Sequence, residues 1–490
     1  MNTSGKRQVK AEAQNANRHA VVLGGSLAGL LTARILSDHF EHVTLIERDA
    51  YLDTTETRRG TPQANHVHGL LARGREIIEE LFPGLQDELV AAGAPLLDIA
   101  NEFAWFTPKG WGVRFQSDLM VLAFTRPLLD LHVRRRLATK PKVRILDNTD
   151  VVRLLPDSTG NQIAGVLICP RVSEADRRVA TELRADLVVD TTGRASRAPR
   201  WLEDIGYEAP EEIVIDAHLA YASRLYRIPE NFHPGWQCAY VQAAPPKHKR
   251  GGLLFKVEDN RWLLTLIGRA GDQPPSDEAG FMEFARSLQV PIIYDAISVA
   301  EPVSPIKTHR ATQNRLRRYE RAKAMPDNFL LLGDSVCAFN PVYGQGMTTA
   351  ALGVMELNKC LSERNGNFAG LSRHFQKRLA KINEAPWLLA TGEDYRYPET
   401  VGGSPSLMTR FMHRYMDQVV LLATPSVAVR KVLLKAFNML TRPTALFHPR
   451  VLFRVLVQVL KPALTPKAFA NLSPGLERMR QPWDRKIQER

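Results

Sequence analysis

A glycine-rich stretch near the start of the chain has the residue types that can bind a dinucleotide. The sequence GGSLAG, residues 24–29, follows an apolar run and precedes a helical pattern, which is the context of a G-x-G-x-x-G finger. Ser26 stands where the middle glycine is expected. Gly24 permits a tight strand-to-helix turn, Gly29 permits close helix–strand packing, and the helix N-terminus offers free N–H groups to a pyrophosphate. Ser26 is small, so we expect the pyrophosphate still to fit.

An acidic residue follows the finger at a suitable distance. Glu47 ends the next apolar run, 23 residues after Gly24. An acidic side chain at this point can accept hydrogen bonds from the ribose of an adenosine. The pattern therefore favours an unphosphorylated ribose, although a glycine turn in an ordinary α/β protein would have the same spacing.

A second group of residues lies in the later part of the chain. In LLLGDSVCAFNPVYGQGM, residues 330–347, Asp334 ends an apolar strand pattern, where its carboxylate can bind a polyol hydroxyl. Gly344 and Gly346 begin a helical pattern, and the positive end of such a helix would stabilise the anionic N1–C2=O edge of a reduced flavin. A single Asp is more often a cap or a turn residue. Its combination with the glycines and the upstream finger favours a flavin site.

The surrounding patterns predict the elements that position these residues. Two strands flank a helix in the opening βαβ-type unit, and two later apolar runs predict further buried strands. Longer alternating runs predict antiparallel strands, a glycine-led helix follows, and the chain after about residue 400 is helical with proline breaks at 425, 443, 449 and 462. The strands are predicted at 19–25, 42–47, 185–194, 328–334, 213–229 and 260–271, and the first and the glycine-led helix at 27–38 and 341–361.

These elements predict an α/β fold. A three-layer Rossmann-like FAD-binding domain, residues 19–204 and 306–395, would be interrupted by an antiparallel β-sheet substrate domain at 205–305. Residues 1–18 would form a flexible tail, and residues 396–490 a basic C-terminal helical segment.

Three of these motifs together resemble the group A FAD-dependent monooxygenases. They are GGSLAG as the FAD finger, DTTGR (190–194) as a second fingerprint and GDSVCAFNPVYGQGM (333–347) as the ribityl motif, and the resemblance extends from about residue 19 to 400. RRGTPQANHVHGLL (58–71) narrows it to bacterial polyether epoxidases of the lasalocid type and, more distantly, to squalene epoxidase.

The resemblance implies a set of cofactor-binding residues. Asp190, Thr192 and Gly193 would support FAD and transient NADH or NADPH, although a plain strand-end turn explains them equally well. The residues implied to bind FAD are Gly24, Gly25, Ser26, Gly29, Glu47, Arg48, Arg59, Arg126, Val151, Asp190, Gly193, Asp334, Pro341, Gly344, Gln345, Gly346 and Met347.

The resemblance also implies the reaction. NAD(P)H would reduce FAD, and O₂ would be used through a flavin C4a-hydroperoxide to epoxidise or hydroxylate a lipophilic polyketide or terpenoid-like substrate. His66, His68 and Tyr343 are the candidate catalytic residues lining the cavity, although a structural role of the two histidines is favoured.

Several alternatives remain at this point. They are an aromatic hydroxylase, a flavin-dependent isoprenoid reductase or desaturase, and a non-enzymatic binding scaffold. Halogenation is set aside because Trp262 has no partner in a Trp-x-Trp-x-Ile motif and no active-site lysine is recognised.

The composition of the chain limits where the protein is expected to act and what it is expected to bind. The chain has 490 residues, 44% of them hydrophobic, and its four cysteines have no metal-ligand spacing, so no metal is expected. The first eighteen residues are polar, and a cytoplasmic protein is expected. Of the net charge of +13, most lies in residues 401–490, which have 15 Lys/Arg and 4 Asp/Glu but no nucleic-acid-binding motif. These C-terminal helices would help to receive the substrate, and they would either pack on the FAD domain or contact a membrane surface or a carrier protein.

Overall fold

The computed structural model describes residues 18–171, 179–310 and 312–464. The predicted tail therefore lies outside the described residues except for Arg18, as do residues 465–490 of the predicted C-terminal segment.

Strands in the described ranges are short, and most belong to two large sheets. In chain order they are β1 His19–Leu23, β2 His42–Ile46, β3 His68–Leu70, β4 Leu96–Asp98, β5 Phe103–Thr107, β6 Gly110–Trp111, β7 Met120–Phe124, β8 Val143–Leu146, β9 Thr149–Pro156, β10 Ile163–Pro170, β11 Thr181–Arg184, β12 Leu187–Asp190, β13 Glu212–Ile215, β14 Ala220–Arg227, β15 Cys238–Val241, β16 Gly251–Val257, β17 Arg261–Gly268, β18 Glu301–Pro302, β19 Lys307–His309, β20 Asn314–Arg317, β21 Phe329–Leu331 and β22 Cys337–Ala338.

The α-helices lie between these strands and after the last of them. They are α1 Leu27–Leu36, α2 Ala72–Leu81, α3 Leu85–Ala91, α4 Arg126–Ala138, α5 Ala198–Asp204, α6 Glu278–Arg286, α7 Ile292–Ser298, α8 Gly346–Arg364, α9 Leu371–Asp394, α10 Leu407–Ala423, α11 Val427–Phe437 and α12 Pro449–Leu464.

A five-stranded parallel sheet forms the centre of the Rossmann-type part. Its strand order is β21-β12-β1-β2-β8, and its first four strands are almost entirely buried because helices α1 and α9 and the antiparallel strands β9 and β10 pack on them. The three-layer α/β fold predicted from the sequence is confirmed. Strand β1 ends at Leu23, two residues earlier than predicted, because Gly24 turns the chain with a φ of +95°.

The second large sheet is mostly antiparallel and has two apolar faces. Side chains alternate along each strand, so Ala104 of β5 packs with Trp262 against helices α6 and α7, while Phe103 and Trp105 point to the opposite side. Strands β5 and β6, at 103–111, and β19, at 307–309, belong to this sheet although they lie outside the predicted range 205–305. Strand β5 joins through parallel pairing with β15, a long-range contact that local pattern does not encode.

The glycine-led helix begins later than predicted. Residues 341–343 form a 3₁₀ turn, Gly344 takes the left-handed conformation with a φ of +63°, and α8 starts at Gly346. The left-handed residue breaks the helical hydrogen-bond pattern, so the helix N-terminus lies beside Gly344.

The C-terminal part is helical, as predicted. Helices α10 and α11 are separated at Pro425, and α12 begins at Pro449. Contrary to the predicted break at Pro462, α12 continues through this residue to Leu464. None of the helices in the described ranges is both long and apolar enough to cross a membrane.

Candidate active site

One cavity of about 940 Å³ connects the dinucleotide finger with the antiparallel sheet and the C-terminal helices. Its wall includes the three candidate catalytic residues and most of the predicted cofactor residues. These are His66, His68, Tyr343, Gly24, Gly25, Ser26, Glu47, Arg48, Arg59, Arg126, Val151, Gly193, Asp334, Pro341, Gly344, Gly346 and Met347. Gly29, Asp190 and Gln345 are absent from the wall, which differs from their predicted direct contact with the cofactor.

Gly29 acts in packing below the finger. A Cβ at this position would lie 1.8 Å from the carbonyl oxygen of Gly24 and 2.8 Å from Thr191 Oγ1. A larger residue would push α1 away from β1 and β12, so Gly29 shapes the turn from behind the wall.

Ser26 and Arg126 form a pair at the mouth of the finger. Arg126 Nη2 donates a hydrogen bond to Ser26 Oγ at 3.0 Å, while its Nε donates to Asp130 Oδ1 at 2.8 Å. Ser26 is the N-cap residue of α1, yet its hydroxyl makes no capping bond. The serine at the middle glycine position thus orients a cation beside the free N–H groups of a helix N-terminus, and both features favour an anion.

Glu47 is held by the finger and by a neighbouring arginine. Gly25 N–H donates to Glu47 Oε2 at 2.7 Å and Asp49 N–H donates to Oε1 at 2.9 Å. Arg58 Nη1 lies 3.3 Å from Oε2, and its guanidinium stacks 4.8 Å above the ring of Tyr51. The Glu47 carboxylate is therefore fixed at the end of β2, facing the cavity.

Asp190 stabilises the second strand-end turn from inside the protein. The N–H and hydroxyl of Thr192 donate to Asp190 Oδ1 at 2.7 and 2.6 Å, and Ser196 donates to the other oxygen. Because Asp190 is fully buried, its carboxylate holds the turn, while the other four residues of this fingerprint, 191–194, reach the wall.

Asp334 lies opposite Gly193, with its side chain 45% exposed towards the cavity. Arg194 Nε lies 3.8 Å from Asp334 Oδ2. The ideal Cβ positions of Gly344 and Gly346 have no neighbour within 4 Å, so these two glycines leave open space at the N-terminus of α8. Gln345 between them is buried, and its Oε1 has no hydrogen-bond partner in the described structure.

The two histidines predicted to line the cavity are neutral hydrogen-bonding residues. His66 Nδ1 lies 2.7 Å from Ser223 Oγ, which lies 2.6 Å from Thr265 Oγ1. His68 Nδ1 donates to the carbonyl of His66 at 2.8 Å. Burial lowers the pKa of His66 to about 3 and that of His68 to about 4.

Aromatic and aliphatic side chains form the far wall. Phe103, Trp105 and Tyr240 contribute from the sheet, and Leu433 and Phe437 from α11. The C-terminal helices thus complete the cavity instead of only packing behind it. Burial also raises the pKa of the Tyr343 hydroxyl well above its usual value, which keeps it protonated.

A family model for FAD binding domains matches residues 18–373. The chain belongs to this family of flavoproteins.

Individual relatives show how far the similarity reaches. Protein Rv3254 of Mycobacterium tuberculosis is 34% identical over 387 residues, which cover 76% of this chain and 80% of the relative. The fold of the flavoprotein is similar to that of PqsL from Pseudomonas aeruginosa, a probable FAD-dependent monooxygenase, with a TM-score of 0.57, 17% identity and coverage of 77% and 96% of the two chains. It is also similar to that of the flavin-dependent brominase Bmp2, with a TM-score of 0.63, 12% identity and coverage of 91% and 100%.

The residues on the wall of the flavoprotein fit FAD. The helix N-termini at Ser26 and Gly346 supply N–H groups without intrahelical acceptors, and Arg126 adds a cation for the pyrophosphate. Glu47 and Asp334 supply carboxylates for hydroxyl groups. The open space at Gly344 and Gly346 leaves room for a flat ring against the second helix N-terminus.

Two arginines of the site were missed by sequence reasoning. Arg58 precedes the predicted Arg59, and only the backbone direction shows that Arg58 points inward to Glu47 while Arg59 stays exposed on the wall. Arg194 ends the DTTGR motif and lies on the wall beside Asp334. Both arginines lie inside motifs that the sequence analysis quotes, and this position was the signal that could have identified them.

We expect His66 to make the protein less stable in acid. The unfolded chain binds a proton at His66 below its ordinary pKa of 6.5, whereas the folded protein does not until about 3. Stability is therefore fully present above pH 6.5 and is lost as the pH falls towards 3, by about 2 kcal/mol at pH 5. The free energy of unfolding should be measured with urea at pH 7.5 and at pH 5. Its difference between the two pH values should be smaller in His66→Gln than in the wild-type protein by about 2 kcal/mol.

The exposed His233 provides the control for this measurement. His233→Gln should retain the pH dependence of the wild-type protein. An unchanged pH dependence in His66→Gln would contradict the assignment of a buried, neutral imidazole.

Proposed function

We propose that the protein is an FAD-dependent monooxygenase that uses NAD(P)H and O₂ to epoxidise or hydroxylate a lipophilic, polyketide- or terpenoid-like substrate. The observation that carries this proposal is a continuous cavity, which joins a dinucleotide-binding end to a large apolar end. The resemblance of the motifs to polyether epoxidases supports the epoxidase form of the proposal.

The chain's own residues would bind and orient the cofactor. Bound FAD, once reduced, supplies the activation of O₂. Ser26 and Arg126 would hold the pyrophosphate, and Glu47 and Asp334 the hydroxyl groups of the ribose and the ribityl chain. The N-terminus of α8 would stabilise negative charge on the reduced ring.

The apolar wall would bind the substrate and exclude water. Trp105 and Tyr240 stack with their ring centroids 5.9 Å apart, and Phe437 contacts Trp105 edge-on at 5.5 Å. A rigid aromatic surface of this kind binds extended apolar molecules. It also keeps bulk water from the reacting groups.

The two candidate histidines favour an alkene over a phenol as substrate. Hydroxylation of a phenol benefits from a base that removes the ring proton. His66 and His68 have pKa values of about 3 and 4, lowered by burial, so both are weak bases. Epoxidation of an isolated alkene needs no such base.

Halogenation and isoprenoid reduction, two other reactions of flavoproteins, would require different features of the site or of the reaction. Among the described residues, Lys109 is the lysine on the cavity wall, and it is exposed at the turn between β5 and β6. Its exposure gives no support to a lysine enclosed between flavin and substrate, so halogenation is not favoured. An isoprenoid reductase would consume NAD(P)H without needing O₂.

The proposal is tested with purified protein, NADH or NADPH, and a panel of alkene-bearing polyketides, terpenoids and simple phenols. We expect a lipophilic alkene to accelerate NAD(P)H oxidation and to consume an equal amount of O₂, with an epoxide or alcohol identified by mass spectrometry. Added bromide or chloride should not enter the product.

Each alternative predicts a distinct result. Tightly coupled hydroxylation of small phenols would show an aromatic hydroxylase, and product formation without O₂ would show a reductase. A halogenated product would show a halogenase.

A further inference from the structure

The last described helix, α12, exposes an apolar face. It packs on α10 through Val451 and Val455, which are buried. Phe453 and Leu456, exposed at 66% and 55%, point away from the protein. The exposed apolar side chains of α12, here called the α12 face, are Leu452, Phe453, Leu456, Val457, Val459 and Leu460.

The spacing of these residues places them on one continuous side of the helix. They recur at intervals of three, four and seven, which in a helix of 3.6 residues per turn is a single broad face. Arg450 and Arg454 are exposed at its border, one helical turn apart. The helix therefore has three sides, one buried, one apolar and exposed, and one basic.

The sequence that contains α12 carries charge of one sign. No Asp or Glu occurs between Asp417 and Glu477, whereas eight Lys or Arg residues lie in that interval. A protein surface that ordinarily faces water contains both signs of charge. This exposed apolar face lies in a basic segment that has no acidic residues. It is therefore complementary to a surface whose outer layer is anionic and whose interior is apolar.

From this arrangement we infer that the α12 face lies on an anionic phospholipid membrane, with Arg450 and Arg454 at the level of the headgroups. Helices with these three features lie in the membrane interface with their apolar side buried. The basic residues add attraction to anionic lipid. This peripheral contact is distinct from spanning the bilayer.

The cavity gives this contact a use, which depends on the proposed function. Met416, Asp417 and Val420 of α10 line the cavity, and the same helix packs against α12. A lipophilic substrate dissolved in the membrane would therefore be one helix away from the apolar wall. The membrane contact itself is independent of catalysis.

The inference is tested by flotation of the full-length protein with vesicles of phosphatidylcholine alone or mixed with phosphatidylglycerol. We expect binding to the mixed vesicles that weakens at high salt. Phe453→Ser with Leu456→Ser should lower the partition coefficient at least on the order of tenfold. Arg450→Glu with Arg454→Glu should lower it roughly tenfold.

Matched controls exist elsewhere on the surface. Val299 and Leu388 are exposed at 60% and 62%, so Val299→Ser with Leu388→Ser removes similar apolar area far from α12 in sequence. Lys377 and Lys381 are exposed four residues apart on α9, so Lys377→Glu with Lys381→Glu makes the same charge change on another helix. Both controls should bind vesicles like the wild-type protein.

Four outcomes would overturn the inference. The first is wild-type protein that stays off the mixed vesicles, and the second is α12 variants that bind like wild type. The third is a stable dimer in sedimentation that dissociates in the Phe453→Ser, Leu456→Ser variant, which would assign the face to a second copy. The fourth is vesicle binding only after deletion of residues 465–490, which would assign the face to that segment. Flavin content and NAD(P)H oxidation in the α12 variants report on the proposed function separately.

Discussion

Replacing Asp334 by alanine is expected to yield a folded protein that has lost most of its FAD. The Asp334 side chain lies on the dinucleotide part of the wall, and it follows β21 at a turn in which Gly333 has a φ of +67°. A charge-assisted hydrogen bond to a ligand contributes about 1.5–3 kcal/mol. The Kd for FAD should therefore rise roughly 10- to 100-fold.

The measurement is the ratio of released FAD to protein after purification, followed by titration of the apoprotein with FAD. Asp334→Asn retains an oxygen acceptor and should lose less affinity. Asp204→Ala changes an exposed aspartate at the end of α5 and should leave flavin content unaltered. Wild-type flavin content in Asp334→Ala would show that this carboxylate does not hold the cofactor.

The second large effect is expected at Asp394, which connects three parts of the fold beneath the site. Asn314 Nδ2 donates to Asp394 Oδ2 at 2.6 Å, and Asn340 Nδ2 donates to Oδ1 at 2.9 Å. Arg269 Nη1 lies 3.3 Å from Oδ1, and both side chains are almost fully buried. Asn340 in turn accepts a bond from Val342 N–H at 3.0 Å, which holds the 3₁₀ turn before α8.

Asp394→Ala is expected to destabilise the protein by about 3–5 kcal/mol, because it leaves the buried Arg269 guanidinium without its counter-charge. Arg396 and Asp417 form the matched pair, with Nη1 and Oδ1 3.0 Å apart but the aspartate 41% exposed. Asp417→Ala should cost no more than about 1 kcal/mol. Both variants should be compared by urea unfolding of the apoproteins. An equal loss of unfolding free energy in the two variants would contradict the role of Asp394 as the buried counter-charge that connects these segments.

The dinucleotide part of the fold could be predicted from the sequence because its determinants are local. Buried parallel strands are continuous apolar runs, and the turn at Gly24 needs a residue that tolerates a positive φ. The same reasoning placed Ser26, Glu47 and Asp334 on one wall. It could not show that the Ser26 hydroxyl pairs with Arg126, since these residues are separated by a hundred positions.

The apolar part of the cavity was less predictable because its wall is assembled from distant segments. Trp105 reaches the cavity through the parallel pairing of β5 with β15, and Phe437 meets it from α11. Neither contact leaves a periodic pattern in the sequence. The C-terminal basic segment was predicted to help receive the substrate and to be either packed or membrane-contacting; α10 and α11 line the cavity, and α12 exposes its apolar face.

The central claim, monooxygenation at this cavity, is tested most directly by the origin of the oxygen atom in the product. Reactions of the wild-type protein with NAD(P)H and a lipophilic alkene under ¹⁸O₂ should give a product containing one ¹⁸O atom, with none incorporated when the label is supplied as H₂¹⁸O. The product of Asp334→Ala should fall in proportion to its lost flavin. A product that forms without label from ¹⁸O₂, or with label from water, would contradict the account.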